Sequence, residues 1–278
     1  MAENFQLFTS FRFDPALCEA PEGALQYADW NRANASPFYM LDYHRDRMLR
    51  GATHFGWDAA VKALSGEDGI RTLSEFVLDV LRDKEARPMR VKVTVSKEGN
   101  LAAETNVVPR TSIANLFPAF LPVPGQAASA GPCVPEKEPL YEVVVDSTTT
   151  DASEYTHYKT TRRQMYDEAR RRAGIDLTSR KEVLLVNSAT GCLMEGSMTT
   201  PYFWRDGRWV TPPVSLEFRP QGDSGGNDGT TRRWALQRAL AVEEEVPVDS
   251  LRDGEECWLS NGVRGFMCGK IVLQNPEP

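Results

Sequence analysis

Three short stretches carry residue types that could do chemistry. Lys159 is one of eight lysines in 278 residues and stands between Tyr158 and Thr160-Thr161, where an irregular polar segment is about to enter a helix. A lysine used for Schiff-base chemistry must be held by its neighbours and partly desolvated to act as a nucleophile, and this setting offers both; an ordinary exposed lysine is the plainer alternative. Glu195-Gly196-Ser197 emerges from apolar Leu193-Met194, so Glu195 is either a buried partner for a cationic group or a carboxylate in a turn. Gly229-Thr230-Thr231-Arg232 opens a helix after a glycine-rich stretch, 222–229, which brings free N–H groups, two hydroxyls and the positive end of a helix dipole to one point. That is the make-up of a phosphate cradle, and equally of a simple N-cap.

The elements that must position these residues are legible from hydrophobic period. Residues 5–13 alternate as a strand, and 38–41 read as a second strand running into Asp42, a candidate N-cap for a helix with Met48, Ala52, Phe55 and Ala59 on one face. Thr72-Leu73-Ser74-Glu75 has the form of a capping box ahead of a second amphipathic helix, and 91–95 with 101–105 read as a hairpin around Lys97-Glu98-Gly99-Asn100. Proline, glycine and alanine accumulate over 118–139 without hydrophobic period, the composition of an interdomain linker. We therefore expect a small α+β domain over 1–117, a linker over 118–139 and a larger, sheet-rich domain over 140–278. The second domain reads as a strand at 140–146, a helix from near Thr160, strands at 183–187, 202–204 and 209–211 with Asp206-Gly207 as a hairpin turn, a helix carrying Ala235, Leu236 and Ala239, and a last strand near 257–260.

Composition narrows the function classes. A net charge of -7 and a pI near 5.2 give no electrostatic drive toward nucleic acid or an anionic membrane. No apolar run reaches the ~20 residues of a membrane span, and Met1-Ala2-Glu3-Asn4 is unlike a signal peptide, so a cytoplasmic protein is expected. Five cysteines without C-x-x-C spacing and three scattered histidines suggest neither a disulfide framework nor a metal site.

Taken in order, these features resemble the class IV, or fold-type IV, aminotransferase family. The resemblance rests on Val183-Leu184-Leu185-Val186-Asn187, Glu195-Gly196-Ser197 and Asp206-Gly207-Arg208-Trp209-Val210-Thr211-Pro212-Pro213, on His44-Arg45-Asp46-Arg47-Met48, and on Gly229-Thr230-Thr231-Arg232. It implies a two-domain α+β fold and pyridoxal 5'-phosphate as cofactor, with Lys159 carrying the cofactor and later shuttling a proton. It also implies Glu195 against the pyridine nitrogen, and a phosphate held by Arg47, by backbone groups at Met198 and Thr199, and by the Thr230-Thr231 turn. Thr200 stands where the family signature has asparagine, 216–223 looks like inserted sequence, and the strand that bacterial members place before residue 5 has no counterpart.

Within the family, His157-Tyr158-Lys159-Thr160-Thr161-Arg162-Arg163 and Ser260-Asn261-Gly262-Val263-Arg264-Gly265 are similar to the aminodeoxychorismate lyases of fungi. That subgroup implies a lyase that splits 4-amino-4-deoxychorismate, a small acidic substrate, into 4-aminobenzoate and pyruvate for folate synthesis; a transaminase is the alternative. Ser10 aligns with a threonine suggested to protonate the departing group in bacterial lyases, and Asn261, Arg90 and Arg163 are candidate carboxylate binders. The family implies a C2 homodimer.

Overall fold

The computed structural model describes residues 5–20, 25–126, 131, 133–176, 179–219 and 224–273. Residues 1–4 and the end of the 216–223 insertion lie outside them. The chain divides into two units, one formed by 1–113 with 158–162, the other by 114–157 with 163–278. The division thus falls ahead of the proline-rich segment, and the described part of 118–139 belongs to the second unit. Its carbonyls explain why: Leu121 O accepts from Trp209 Nε1 at 2.9 Å and Pro122 O from Trp258 Nε1 at 3.2 Å. Two buried indole N–H groups need acceptors, and this segment supplies them.

The first unit carries a three-stranded antiparallel sheet in the order β1 (Leu7–Phe13), β2 (Met89–Val95), β3 (Leu101–Val107). The hairpin read from sequence is β2–β3. The far edge of β1 is occupied by 159–161: Phe8 N–H donates to Lys159 O at 3.0 Å, Thr161 N–H to Gln6 O at 2.9 Å, and Leu7 bridges Thr160. This is what draws five residues from the middle of the chain into the first unit.

After two short helices, Ala16–Glu19 and Trp30–Asn34, come three longer ones, Leu41–His54, Asp58–Leu64 and Gly66–Leu81. In the first, the stripe that buries Leu41, Met48 and Ala52 at helical spacing also buries His44 and Arg47. Residues 38–41 form no strand; only Phe38 bridges Phe13. The helix starts at Leu41, after Met40 in a left-handed conformation, so Asp42 lies in its first turn rather than at its cap. Thr72 sits mid-helix for a similar reason. The buried series Gly69, Leu73, Val77 and Leu81 runs a turn further back than the apparent capping box, and the helix starts after extended Ser65.

The second unit is built on an eight-stranded sheet ordered β6-β5-β4-β11-β10-β7-β8-β9. Its strands are β4 (Tyr141–Thr150), β5 (Lys181–Asn187), β6 (Leu193–Gly196), β7 (Thr200–Arg205), β8 (Arg208–Thr211), β9 (Val242–Glu243), β10 (Glu256–Asn261) and β11 (Gly265–Ile271). β4 runs parallel to β5 and β11, and the β7–β8 hairpin turns at Asp206-Gly207, both at positive φ. β11, unexpected from sequence, is central. A Cβ at Gly269 would stand 2.7 Å from Val143 Cγ2, so the close approach of β11 to β4 needs glycine there. Helices Gln164–Arg172 and Thr230–Gln237 complete the part that matters for the site; the first begins four residues later than Thr160.

Candidate active site

In the first unit, Lys159 is half-buried between Tyr158 and Thr160, both buried, and is held through its backbone by β1. The Tyr158 ring stacks on His54 with centroids 4.3 Å apart, which fixes the residue before the lysine. Lys159 Nζ lies 5.0 Å from the centroid of Phe8, a cation–π contact on the face of β1 that also carries Ser10. Ser10 is half-buried, with Arg90 Nη2 donating to its hydroxyl at 3.4 Å; Arg90 also reaches Asn106.

The opposite face of β1 presents Thr9, fully buried, to the helix Leu41–His54. Arg47 Nη2 donates to Thr9 Oγ1 at 2.7 Å, Thr9 Oγ1 is 2.7 Å from His44 Nδ1, and Arg47 Nη2 lies 3.5 Å from that same nitrogen. Burial first, then the cations Arg47 and Lys159, hold the His44 imidazole well below its usual pKa, so it is neutral. Two cations acting on one buried ring make a local field that suits an anion.

In the second unit, Glu195 lies on edge strand β6, opposite Leu185 of β5. Its Oε1 accepts from the Tyr166 hydroxyl at 2.6 Å and from the Asn227 N–H at 3.1 Å. Tyr166 comes from the helix Gln164–Arg172, and burial, followed by Glu195 itself, pushes its pKa well up, so it remains a donor. Asn227 belongs to the glycine-rich loop, and a Cβ at Gly226 would sit 2.8 Å from Met194 O; the loop needs glycine to pass this close to β6. Its side chain ties back to His157 O at 2.6 Å. Glu195 is therefore a strand carboxylate that accepts from two donors, not a turn residue.

The segment after Glu195 is organised by a residue the sequence reading passed over. Glu182 on β5, 2% exposed, accepts from the Ser197 N–H and hydroxyl at 3.0 and 2.6 Å, the Met198 N–H at 3.2 Å and the Thr199 hydroxyl at 2.8 Å. The Met198 N–H, one of the two backbone groups expected to face a phosphate, is thus committed to Glu182, as is the Thr199 hydroxyl. A lone carboxylate in the otherwise apolar run 182–186 was the available signal. Thr231, buried at the start of the helix Thr230–Gln237, forms a hydroxyl chain with Ser260 at 2.8 Å and Tyr202 at 2.9 Å. Thr230 is buried beside it, whereas Arg232 in the same turn is occupied structurally by Asp228 and Glu243.

Two candidate substrate residues in this unit also have structural partners. Asn261 Oδ1 accepts the N–H groups of Val263 and Arg264 at 3.0 and 2.9 Å, closing the β10–β11 turn, so those two N–H groups are spent on the turn. Arg163 pairs with Asp167 at 3.0 Å and lies over the Tyr166 ring, 5.3 Å from its centroid.

The chain belongs to the amino-transferase class IV family, whose model matches residues 27–270. It is 26% identical over 302 residues to aminodeoxychorismate lyase of Saccharomyces cerevisiae, covering 98% of this chain and 76% of that one. Among solved structures it is similar to a Mesorhizobium loti protein assigned as an amino-acid aminotransferase (TM-score 0.63, 21% identity, 97% of this chain and 100% of that one). It is also similar to the branched-chain amino acid aminotransferase of Escherichia coli (TM-score 0.57, 15% identity, 97% and 77% covered). The mixed α+β, fold-type IV architecture expected from the sequence is the one found. Among the described residues no helix is long and apolar enough to cross a membrane.

Proposed function

We propose that this chain is a pyridoxal-phosphate-dependent lyase that converts 4-amino-4-deoxychorismate to 4-aminobenzoate and pyruvate. The observation that carries the choice of reaction is the likeness to the yeast lyase along 98% of the chain. The donor set fits the cofactor: a half-buried lysine on a strand edge, a buried arginine beside a neutral histidine, a hydroxyl-lined helix start, and a carboxylate that accepts from Tyr166 and Asn227.

Pyridoxal phosphate, when bound, supplies the conjugated ring that takes up electrons from a breaking C–H bond. Lys159 would hold the cofactor through its amine, and the free amine would take the proton from the amine-bearing ring carbon of the substrate. Glu195 would stand against the pyridine nitrogen and keep it protonated. Arg47, the Thr230-Thr231 helix start and the Thr199 backbone would bind the phosphate, the Met198 N–H being turned to Glu182. The Ser10 hydroxyl, which already accepts from Arg90, delivers the proton to the methylene of the departing enolpyruvyl group. Loss of that group leaves an aromatic ring, which drives the reaction forward. The substrate's carboxylates call for cations, and Arg90 and Arg163, with Asn261, are assigned to them. The working form is a C2 homodimer, to be checked by light scattering of the purified protein.

The alternative is a class IV aminotransferase acting on branched-chain, D-amino acid or amine donors, a reading favoured by the aminotransferases among the fold relatives. The two part at the products. Incubation of the holoenzyme with 4-amino-4-deoxychorismate should release pyruvate and 4-aminobenzoate in equal amounts, with no amino transfer from those donors to a keto acid. Amino transfer without pyruvate release would reverse the assignment.

A further inference from the structure

We infer that Thr9 and His44 are positioning residues that set the guanidinium of Arg47 toward the cofactor phosphate, acting as a directional chain from Arg47 through the Thr9 hydroxyl to His44 Nδ1. The inference rests on the reading of Arg47 as a phosphate ligand.

Hydrogen-bond direction follows from the atoms present. Arginine has only donors, so the 2.7 Å contact from Arg47 Nη2 makes Thr9 Oγ1 an acceptor. A threonine hydroxyl has one proton, and His44 Nδ1 is 2.7 Å away to receive it. Nδ1 is therefore the bare nitrogen and the ring proton sits on Nε2; the approach of Arg47 Nη2 to within 3.5 Å of Nδ1 fits the same assignment. The imidazole is held neutral by burial and by Arg47 and Lys159, so its Nδ1 stays available as an acceptor. Thr9 and His44 are both 0% exposed and Arg47 9%, which removes water as a substitute partner for the chain.

Each link is placed by the fold. Thr9 points to this face because β1 alternates, and His44 and Arg47 share a helix face because they are three residues apart. The rigid Phe11 ring, 5.3 Å from the His44 ring, packs the imidazole from the same strand face as Thr9. A guanidinium anchored at one Nη in this way loses less freedom on binding a phosphate than one that must be ordered by the ligand, and so binds it more tightly.

A merely structural cluster would not distinguish ligands by their phosphate, so the test is a preference ratio. Dissociation constants for pyridoxal 5'-phosphate and for pyridoxal, which lacks the phosphate, are measured by equilibrium dialysis for the full chain and for Thr9→Val, Thr9→Ser, His44→Phe and Arg47→Ala. Folding is checked by circular dichroism. Thr9→Val should lose on the order of tenfold of the phosphate preference, the scale of one charge-assisted hydrogen bond, with pyridoxal affinity unchanged. Thr9→Ser should keep the preference, and His44→Phe should lose part of it. A folded Thr9→Val or His44→Phe that keeps the full preference, while Arg47→Ala loses it, overturns the inference and leaves the role of Arg47 standing. An Arg47→Ala protein that keeps the preference removes the reading of Arg47 as phosphate ligand, and the inference with it.

Discussion

The Tyr166 hydroxyl donates to Glu195 Oε1 at 2.6 Å, from a helix to an edge strand, and the tyrosine is buried while the glutamate is half-buried. Burial above all, then the neighbouring carboxylate, pushes the phenol well above its usual pKa. The folded protein therefore keeps a proton that the unfolded chain releases near pH 10. Above about pH 10 the unfolded state binds fewer protons than the folded one, so stability falls as pH rises, by up to ~1.4 kcal/mol per pH unit from this group. Tyr166→Phe should be less stable than the unmutated protein by about 1.5–3 kcal/mol near neutrality, and its stability should fall less steeply above about pH 10. Urea unfolding at neutral and alkaline pH measures both; parallel declines would mean that the phenol ionises at the same pH in the fold as in the unfolded chain.

Glu182 makes the 197–199 segment what it is. Replacing it by glutamine keeps the volume but turns donors toward the donors of Ser197, Met198 and Thr199, and should cost on the order of 3 kcal/mol, a scale set by hydrogen bonds to a buried charge. Urea denaturation of Glu182→Gln checks this. A loss under about 0.5 kcal/mol would mean that the segment is held by its own turn.

Ser10 tests the departing-group step. Ser10→Ala should slow pyruvate release by ~10²-fold or more while cofactor absorbance is retained, and Ser10→Thr should remain active because the hydroxyl survives. Stopped-flow detection of pyruvate separates the step from substrate binding. Release at the unmutated rate would leave Lys159 or water as the acid, since the Thr9 proton is directed to His44.

What the sequence made legible, and what it hid, divides along physical lines. Alternation and turn chemistry gave β1, the β2–β3 hairpin and the Asp206-Gly207 turn because local rules decide them. β11 was hidden because its glycine at 269 serves a neighbouring strand rather than its own pattern. The 158–162 excursion was hidden because the edge of β1, distant in sequence, holds it. Arg47, Glu195 and Thr231 stood out as motif members; Thr9, Tyr166 and Glu182 did not, because each acts on another side chain through a long-range hydrogen bond that no spacing announces. The capping-box pattern at Thr72 misled for the opposite reason: a local signal was overridden by an apolar stripe that continues behind it.

The central claim, that Lys159 carries pyridoxal phosphate, has a direct chemical test. Borohydride reduction of the cofactor-loaded protein fixes the cofactor covalently to the lysine that holds it, and peptide mapping by mass spectrometry reads the site. The account predicts a pyridoxyl label on the peptide containing Lys159 and no labelled lysine in a folded Lys159→Ala protein. A label on any of the other seven lysines, or cofactor bound without a reducible link to Lys159, would contradict it.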